Sequence, residues 1–111
     1  MTKDRKKDHL LGALDLLILR VLSTKPNHGY GIARRIEQIS SEVLSVQQGS
    51  LYPALHRLEK KAFIQSEWRT GETSKPIRTY TLTSAGEAYL ADEISNWELF
   101  SAAVNVIIKE A

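Results

Sequence analysis

The densest set of side chains able to do chemistry lies between Gly49 and Lys61, in the run Gly-Ser-Leu-Tyr-Pro-Ala-Leu-His-Arg-Leu-Glu-Lys-Lys. Leu51, Leu55, Leu58 and Ala62 recur at three and four residues, the spacing of one apolar helical stripe. Ser50 is a good N-cap for that helix, and Pro53 then falls in the first turn, where its missing N–H costs nothing. Tyr52, Pro53, His56, Arg57 and Lys60 are left on or near the opposite face. Their hydroxyl, imidazole, guanidinium and ammonium groups, with the Ser50 hydroxyl, suit phosphate oxygens and base edges. A helix N-terminus adds its own preference for an anion.

Bond-making chemistry finds no comparable set. The chain has no cysteine, which excludes a disulfide framework and cysteine-based zinc sites and fits a reducing cytoplasm. His9, His28 and His56 lack metal-ligand spacing. Gly29 and Gly31 follow no strand and have no third glycine in register, and Gly71 to Lys75 is too short for a phosphate loop. No paired carboxylates or Ser/His/Asp arrangement stands out. The expectation is a binding protein, not an enzyme, with no cofactor and no metal.

Composition and charge narrow the partner. At 111 residues, 42% hydrophobic and 25% charged, the chain is globular with a single core. Lys3, Arg5, Lys6 and Lys7 before the apolar run Leu10 to Leu22 imitate a signal peptide. Asp15 and Arg20 interrupt that run, no small-residue cleavage site follows, and it is too short to span a bilayer. A soluble cytoplasmic protein with no membrane partner is expected. Residues 1–82 hold 14 Lys and Arg against 8 Asp and Glu, a net of +6. Residues 83–111 hold one basic residue against five acidic ones, a net of −4. A basic body suits a polyanion, because neutralising phosphates releases counterions.

The elements that would position these groups follow from periodicity. A first helix is expected from about Leu11 to Thr24, with Leu14, Leu17, Ile18, Val21 and Leu22 as its stripe, stopped by Lys25-Pro26-Asn27. A second runs from His28–Tyr30 to Gln38 or Ile39, burying Ile32, Ile36 and Ile39 while Arg34, Arg35, Glu37 and Gln38 face water. Strands at 63–68 and 77–82 alternate apolar and polar residues and form a hairpin with a tip of about eight residues. Ser84 and Glu87 are spaced as a capping box for a last helix that from Glu87 runs without proline or glycine to Ala111. Leu90, Ile94, Trp97, Ser101, Val104 and Ile108 repeat at four and three along it, and Phe100 and Ile107 widen the stripe. A helix of about 25 residues is about 37 Å long, more than this body can cover.

Helix, helix, helix, hairpin, long helix is the order of a winged helix-turn-helix with a C-terminal extension: a mainly α fold with a small β-hairpin. Residues 1–82 form the DNA-binding domain, with 1–9 a basic arm, and 83–111 a dimerisation helix. The third helix would enter the major groove, and a wing made basic by Arg69, Lys75 and Arg78 would reach the backbone or minor groove. Bland readings stand beside these. Tyr52 could cover the core edge, Lys60 and Lys61 could be solvated cations, and Arg78 could pair with Glu67 or Glu72. The exposed helix could instead dock a protein.

Leu14-Asp15-Leu16-Leu17-Ile18-Leu19, His28-Gly29-Tyr30-Gly31-Ile32, Gly49 through Glu59 and Tyr80-x-Leu82-Thr83-x-x-Gly86 occur in this order. Over about residues 12–86 the sequence resembles the PadR family of transcriptional regulators. The resemblance implies a homodimer on a palindromic operator of double-stranded DNA, usually acting as a repressor. It implies DNA contacts from Tyr30, Ser50, Tyr52, Pro53 and Arg57, with Lys75 and Arg78 on the wing. Ending at Ala111, the chain resembles the short members with one C-terminal helix. Some of these bind a small, flat aromatic effector between protomers through a tryptophan of that helix. Trp97 is the candidate here, with plain dimer packing as its other reading.

Overall fold

In the computed structural model, which describes residues 12–70 and 75–111, the helices are α1 (Leu14–Leu22), α2 (Gly29–Ile39), α3 (Gln48–Lys60) and α4 (Ser84–Glu110). The strands are β1 (Asn27–His28), β2 (Ile64–Thr70) and β3 (Pro76–Leu82). The fold is mainly helical with a small antiparallel sheet, as the residue pattern predicts. The expected basic arm at 1–9 and the residues 71–74 of the hairpin tip lie outside the described residues.

α1 is the central post. Leu14, Ile18, Leu19, Val21 and Leu22 are buried, so the stripe holds with Leu19 added to it and Leu17 at its half-buried edge. The helix stops at Leu22, two residues early, because Ser23 Oγ and Thr24 Oγ1 donate back to the carbonyls of Arg20 and Val21. Pro26 follows. Against this post pack Ile32 and Ile36 of α2, the Leu51–Leu55–Leu58 stripe of α3, Ile64 and Tyr80 of the sheet, and Leu90 of α4.

α2 starts where expected because His28 caps it, its Nδ1 accepting the Gly31 N–H at 3.0 Å. Ile39 does not join the core. It is 63% exposed, since the helix ends there and Ser41 and Glu42 turn away with φ of 52° and 65°. Glu37, expected in water, is folded in. Its carboxylate accepts the Val46 N–H at 3.0 Å and an Arg34 N–H at 2.7 Å, pinning the loop that leads into α3.

α3 begins earlier than expected. Gln47, not Ser50, is the N-cap, without a side-chain hydrogen bond. Pro53 is therefore inside the helix, past the first turn, and leaves the Gly49 carbonyl without its ladder donor. Ala62 is exposed and leaves the stripe. It has φ of 66° in a left-handed C-cap, with Phe63 N–H donating to the Leu58 carbonyl at 3.0 Å and Ala62 N–H to that of Glu59 at 2.9 Å. Alanine in that conformation costs about 1–2 kcal/mol.

The sheet order is β1-β3-β2. The expected hairpin has Ile64 opposite Leu82 and Thr70 opposite Pro76, so its strands run further and its tip is shorter. β1, which sequence periodicity missed, adds Asn27 opposite Tyr80 and His28 opposite Thr79. Two residues are too few to carry an alternation signal. Ile64 and Tyr80 are buried, and by alternation Ser66, Trp68 and Arg78 share their face, toward α3.

α4 is capped by Thr83, one residue before the expected Ser84. Its Oγ1 accepts the Gly86 N–H at 3.0 Å and donates to the Ala62 carbonyl at 2.7 Å. Thr83 N–H donates to the Phe63 carbonyl, and the Phe63 and Tyr89 rings stack at 4.3 Å. A Cβ on Gly86 would fall on the Phe63 carbonyl oxygen and against Leu82 Cδ1, so glycine alone lets the helix cross there. Over 27 residues α4 extends about 40 Å.

Two consequences are testable. Gly86→Ala forces backbone apart and is expected to cost about 1–3 kcal/mol or more, read as a lowered melting temperature; an unchanged one refutes the close crossing. Glu37 has its carboxyl held below the ordinary value, first by the Val46 N–H and then by Arg34. A lowered carboxyl pKa contributes stability that is present above the unfolded value, about 4.3, and is lost as pH falls through the depressed one. Below about pH 4 the wild type is therefore expected to lose more stability than Glu37→Gln, measured by thermal unfolding against pH. Parallel pH profiles refute the assignment.

Candidate nucleic-acid interface

One side of the molecule carries most of the groups expected to bind. Burying Leu51, Ala54, Leu55 and Leu58 obliges α3 to turn Tyr52, Pro53, His56, Arg57 and Lys60 outward, and all five are exposed. Ser50 is half-buried. At the start of α3 no side chain caps the first turn, where the Ser50 N–H donates to the Gln47 carbonyl at 3.0 Å. Tyr30, at the start of α2, is 66% exposed, and its ring stacks with His28 at 6.5 Å.

The fold brings Tyr30, Tyr52, His56 and Arg78 around one open cleft of about 510 Å³ between α2, α3 and the wing. His28, Gly29, Glu59, Trp68, Ile77 and Tyr80 complete its lining. Tyr52 reaches this position across Gly29, where an added Cβ would stand 3.0 Å from the tyrosine oxygen. Tyr80 forms the floor, and burial pushes its phenol above the ordinary value although Arg78 opposes the shift. Ser50, Pro53, Arg57, Lys60 and Lys75 lie outside the cleft; Lys75 is exposed at the end of the wing.

Two arginines have partners that their local sequence does not announce. Arg57 Nη2 donates to Asp15 Oδ1 of α1 at 2.9 Å, across 42 positions of sequence. Among the described residues Arg78 does not pair with Glu67, and its other expected partner, Glu72, lies outside them. Its Nη2 meets Glu59 Oε1 at 3.3 Å and its Nε donates to Ser66 Oγ at 3.1 Å. Glu67 instead accepts from Arg69, its neighbour but one on β2, at 2.6 Å. Asp15, Glu59, Ser66 and Trp68 are thus the members of this surface that sequence patterning missed. Their partners are set by which elements cross, and no local spacing carries that.

A second groove, of about 450 Å³, lies between α1 and α4. Trp97 and Phe100 line it with Asp15, Leu16, Tyr89 and Glu93, and the two aromatic rings are 6.1 Å apart. Leu90 and Ile94, expected at a dimer seam, are used within the chain: Leu90 is buried and Ile94 packs half-buried on the core. Beyond them Trp97, Phe100, Val104, Ile107 and Ile108 are exposed, and Ser101 is half-buried. Leu99 and Val106, off the predicted stripe, are exposed too.

The sequence matches the Transcriptional regulator PadR-like family over residues 18–92. The chain belongs to this family of transcriptional regulators. A transcriptional regulator of Mycobacterium tuberculosis is 33% identical over 81 residues, covering 73% of this chain and 72% of that protein. The structure of a transcriptional regulator from Clostridium thermocellum superposes with a TM-score of 0.84 at 31% identity, covering 92% of this chain and 99% of the other. A PadR family regulator from Clostridium difficile superposes at 0.74 with 28% identity, covering 86% and 98%. The fold, the regulatory role and DNA-binding regulation without enzymatic activity are those of the PadR-like family. Among the described residues, no helix is long and apolar enough to cross a membrane.

In this PadR-like chain the Arg57–Asp15 pair is partly solvated, its side chains 53% and 34% exposed. Such pairs are worth about 0–1 kcal/mol, so Arg57 can exchange Asp15 for another anion at little cost. Asp15→Asn is accordingly expected to lower the melting temperature by no more than about 5 °C. A larger fall would mark the pair as a structural tie.

Proposed function

We propose that this protein is a homodimeric repressor that binds a palindromic operator and is released by a small aromatic effector. The observation that carries the reading is the two-sidedness of α3: its apolar stripe is spent on the core while its hydroxyl, imidazole and cationic groups stand on an open face. α3 would lie in the major groove with Tyr52, His56 and Arg57 toward the bases. Tyr30, Ser50, Pro53, Lys60, Lys75 and Arg78 would meet the flanking backbone. Phosphate contacts of this kind supply affinity and position, and the base edges supply discrimination.

The exposed end of α4 supports the dimer. Burying an aliphatic or aromatic side chain contributes about 1.5–3 kcal/mol, and Trp97, Phe100, Val104, Ile107 and Ile108 offer five of them in one stretch. A dimer also answers a specificity requirement, since one half-site competes poorly with genomic DNA. The groove beside Trp97 supports the effector site, with aromatic walls on which a planar ring could stack. Repression as the direction of control follows the family resemblance.

Selection of bound duplexes from random DNA tests the whole reading. The expected product is a two-fold repeat whose affinity falls by at least about 100-fold between 50 and 200 mM salt. Val104→Asp with Ile108→Asp, both beyond the protomer core, is expected to give a folded monomer by ultracentrifugation that binds this duplex at least about 100-fold more weakly. Recovery of no preferred sequence, or a monomeric variant with full affinity, overturns it.

A further inference from the structure

Glu59 is the one acidic residue of α3, on the helix that carries most of the proposed DNA-contacting donors. A carboxylate on a surface that meets phosphates works against binding, so its presence calls for another role. Both of its oxygens are engaged. Oε2 accepts from Ser66 Oγ of β2 at 2.6 Å, and Oε1 meets Arg78 Nη2 of β3 at 3.3 Å. Arg78 Nε donates to the same Ser66 Oγ at 3.1 Å, which closes a ring of three side chains across three elements. The Arg78 guanidinium also lies 5.7 Å from the centre of the Trp68 ring.

The ring sits where the wing leaves the body. Ile64 is buried, Ser66 is half-buried, and Glu67, Trp68, Arg69 and Thr70 are all exposed, so the core supports the hairpin only as far as Ser66. Beyond that point the ladder between β2 and β3 keeps the strands together but does not fix their angle to α3. The Glu59 carboxylate, taking a hydroxyl from one strand and a guanidinium from the other, supplies that angle. We infer that Glu59 is a positioning residue that locks the wing to the recognition helix, so that helix and wing meet DNA at one fixed separation. This deepens the DNA-binding reading above and rests on it. Sequence discrimination depends on such a fixed frame, because backbone contacts set the register in which base edges are read.

A plain surface acid and a positioning acid differ in sign. Removing a plain acid raises affinity for every duplex alike, whereas removing this one loosens the wing and costs the selected site more than a random one. The probes are the duplex recovered by selection with the wild-type protein and a scrambled duplex of the same length. Ser66→Ala opens the ring without changing charge. It is expected to weaken the selected duplex at least about tenfold and leave the scrambled one within about twofold. Glu59→Gln removes the charge. It is expected to raise affinity for the scrambled duplex while the ratio of selected to scrambled falls at least about tenfold. In both variants hydroxyl-radical protection is expected to fade at the outer flank reached by the wing and persist under α3, with the melting temperature unchanged. A selected-to-scrambled ratio within about twofold of wild type in both variants overturns the positioning role. A wild type unable to tell the two duplexes apart overturns the DNA-binding reading instead, so the two failures are separable.

Discussion

Everything on the proposed binding side depends on how α3 seats against α1. Leu51, Ala54, Leu55 and Leu58 fill the space beside Ile18, Leu19 and Leu22, and Leu51, Leu55 and Leu58 are almost wholly removed from water. At about 1.5–3 kcal/mol for each large side chain, that burial fixes the rotation of α3 about its axis far more strongly than any surface pair can. Once the rotation is fixed, the outward direction of Tyr52, His56, Arg57 and Lys60 is no longer free. The proposed binding face is the complement of the packed one.

Local strain is tolerated where it serves this arrangement. Ser41, Glu42 and Ala62 adopt left-handed backbone without being glycine, each at the end of a helix whose chain must turn sharply. The first two turn the chain into the loop that Glu37 holds through the Val46 N–H, and the third swings it from α3 into β2. Pro53 adds a missing hydrogen bond within α3. The left-handed residues cost about 1–2 kcal/mol each and an interior proline about 3 kcal/mol, less together than the burial that sets the helices in place. Gly86 is the opposite case. There the backbones of α4 and the β2 entry come so close that no side chain fits between them.

The charged groups follow a different rule. Arg57 and Arg78 are both held by carboxylates, yet all four side chains keep between 31% and 53% of their surface. Solvated pairs of this kind contribute little to stability and serve to hold a long side chain in one direction. The two arginines are tied to different parts of the molecule, one to α1 beside the Trp97 groove and one to the base of the wing.

Periodicity alone carried most of the fold. The stripes of α1 and α3, the start of α2, the alternation of β2 and β3 and the uninterrupted run of α4 each depend on neighbours within a few residues, and such spacing is written directly in the chain. The exposed polar face of α3 was legible for the same reason. Element ends were less so: Ser50 and Ser84 look like caps, but Gln47 and Thr83 serve, because the loop pinned by Glu37 and the contact of Thr83 with Ala62 and Phe63 decide where each helix begins. Ile39 and Ala62 fit apolar stripes yet lie outside the core, because the chain turns beside them. Leu90 and Ile94 belong to the protomer core, because α4 crosses α1 there and only its far end projects. The two-residue β1, the Asp15–Arg57 pair and the Glu59–Ser66–Arg78 ring needed the tertiary structure outright. Their members are 7 to 53 positions apart across elements, and only the crossing of those elements brings them within bonding distance.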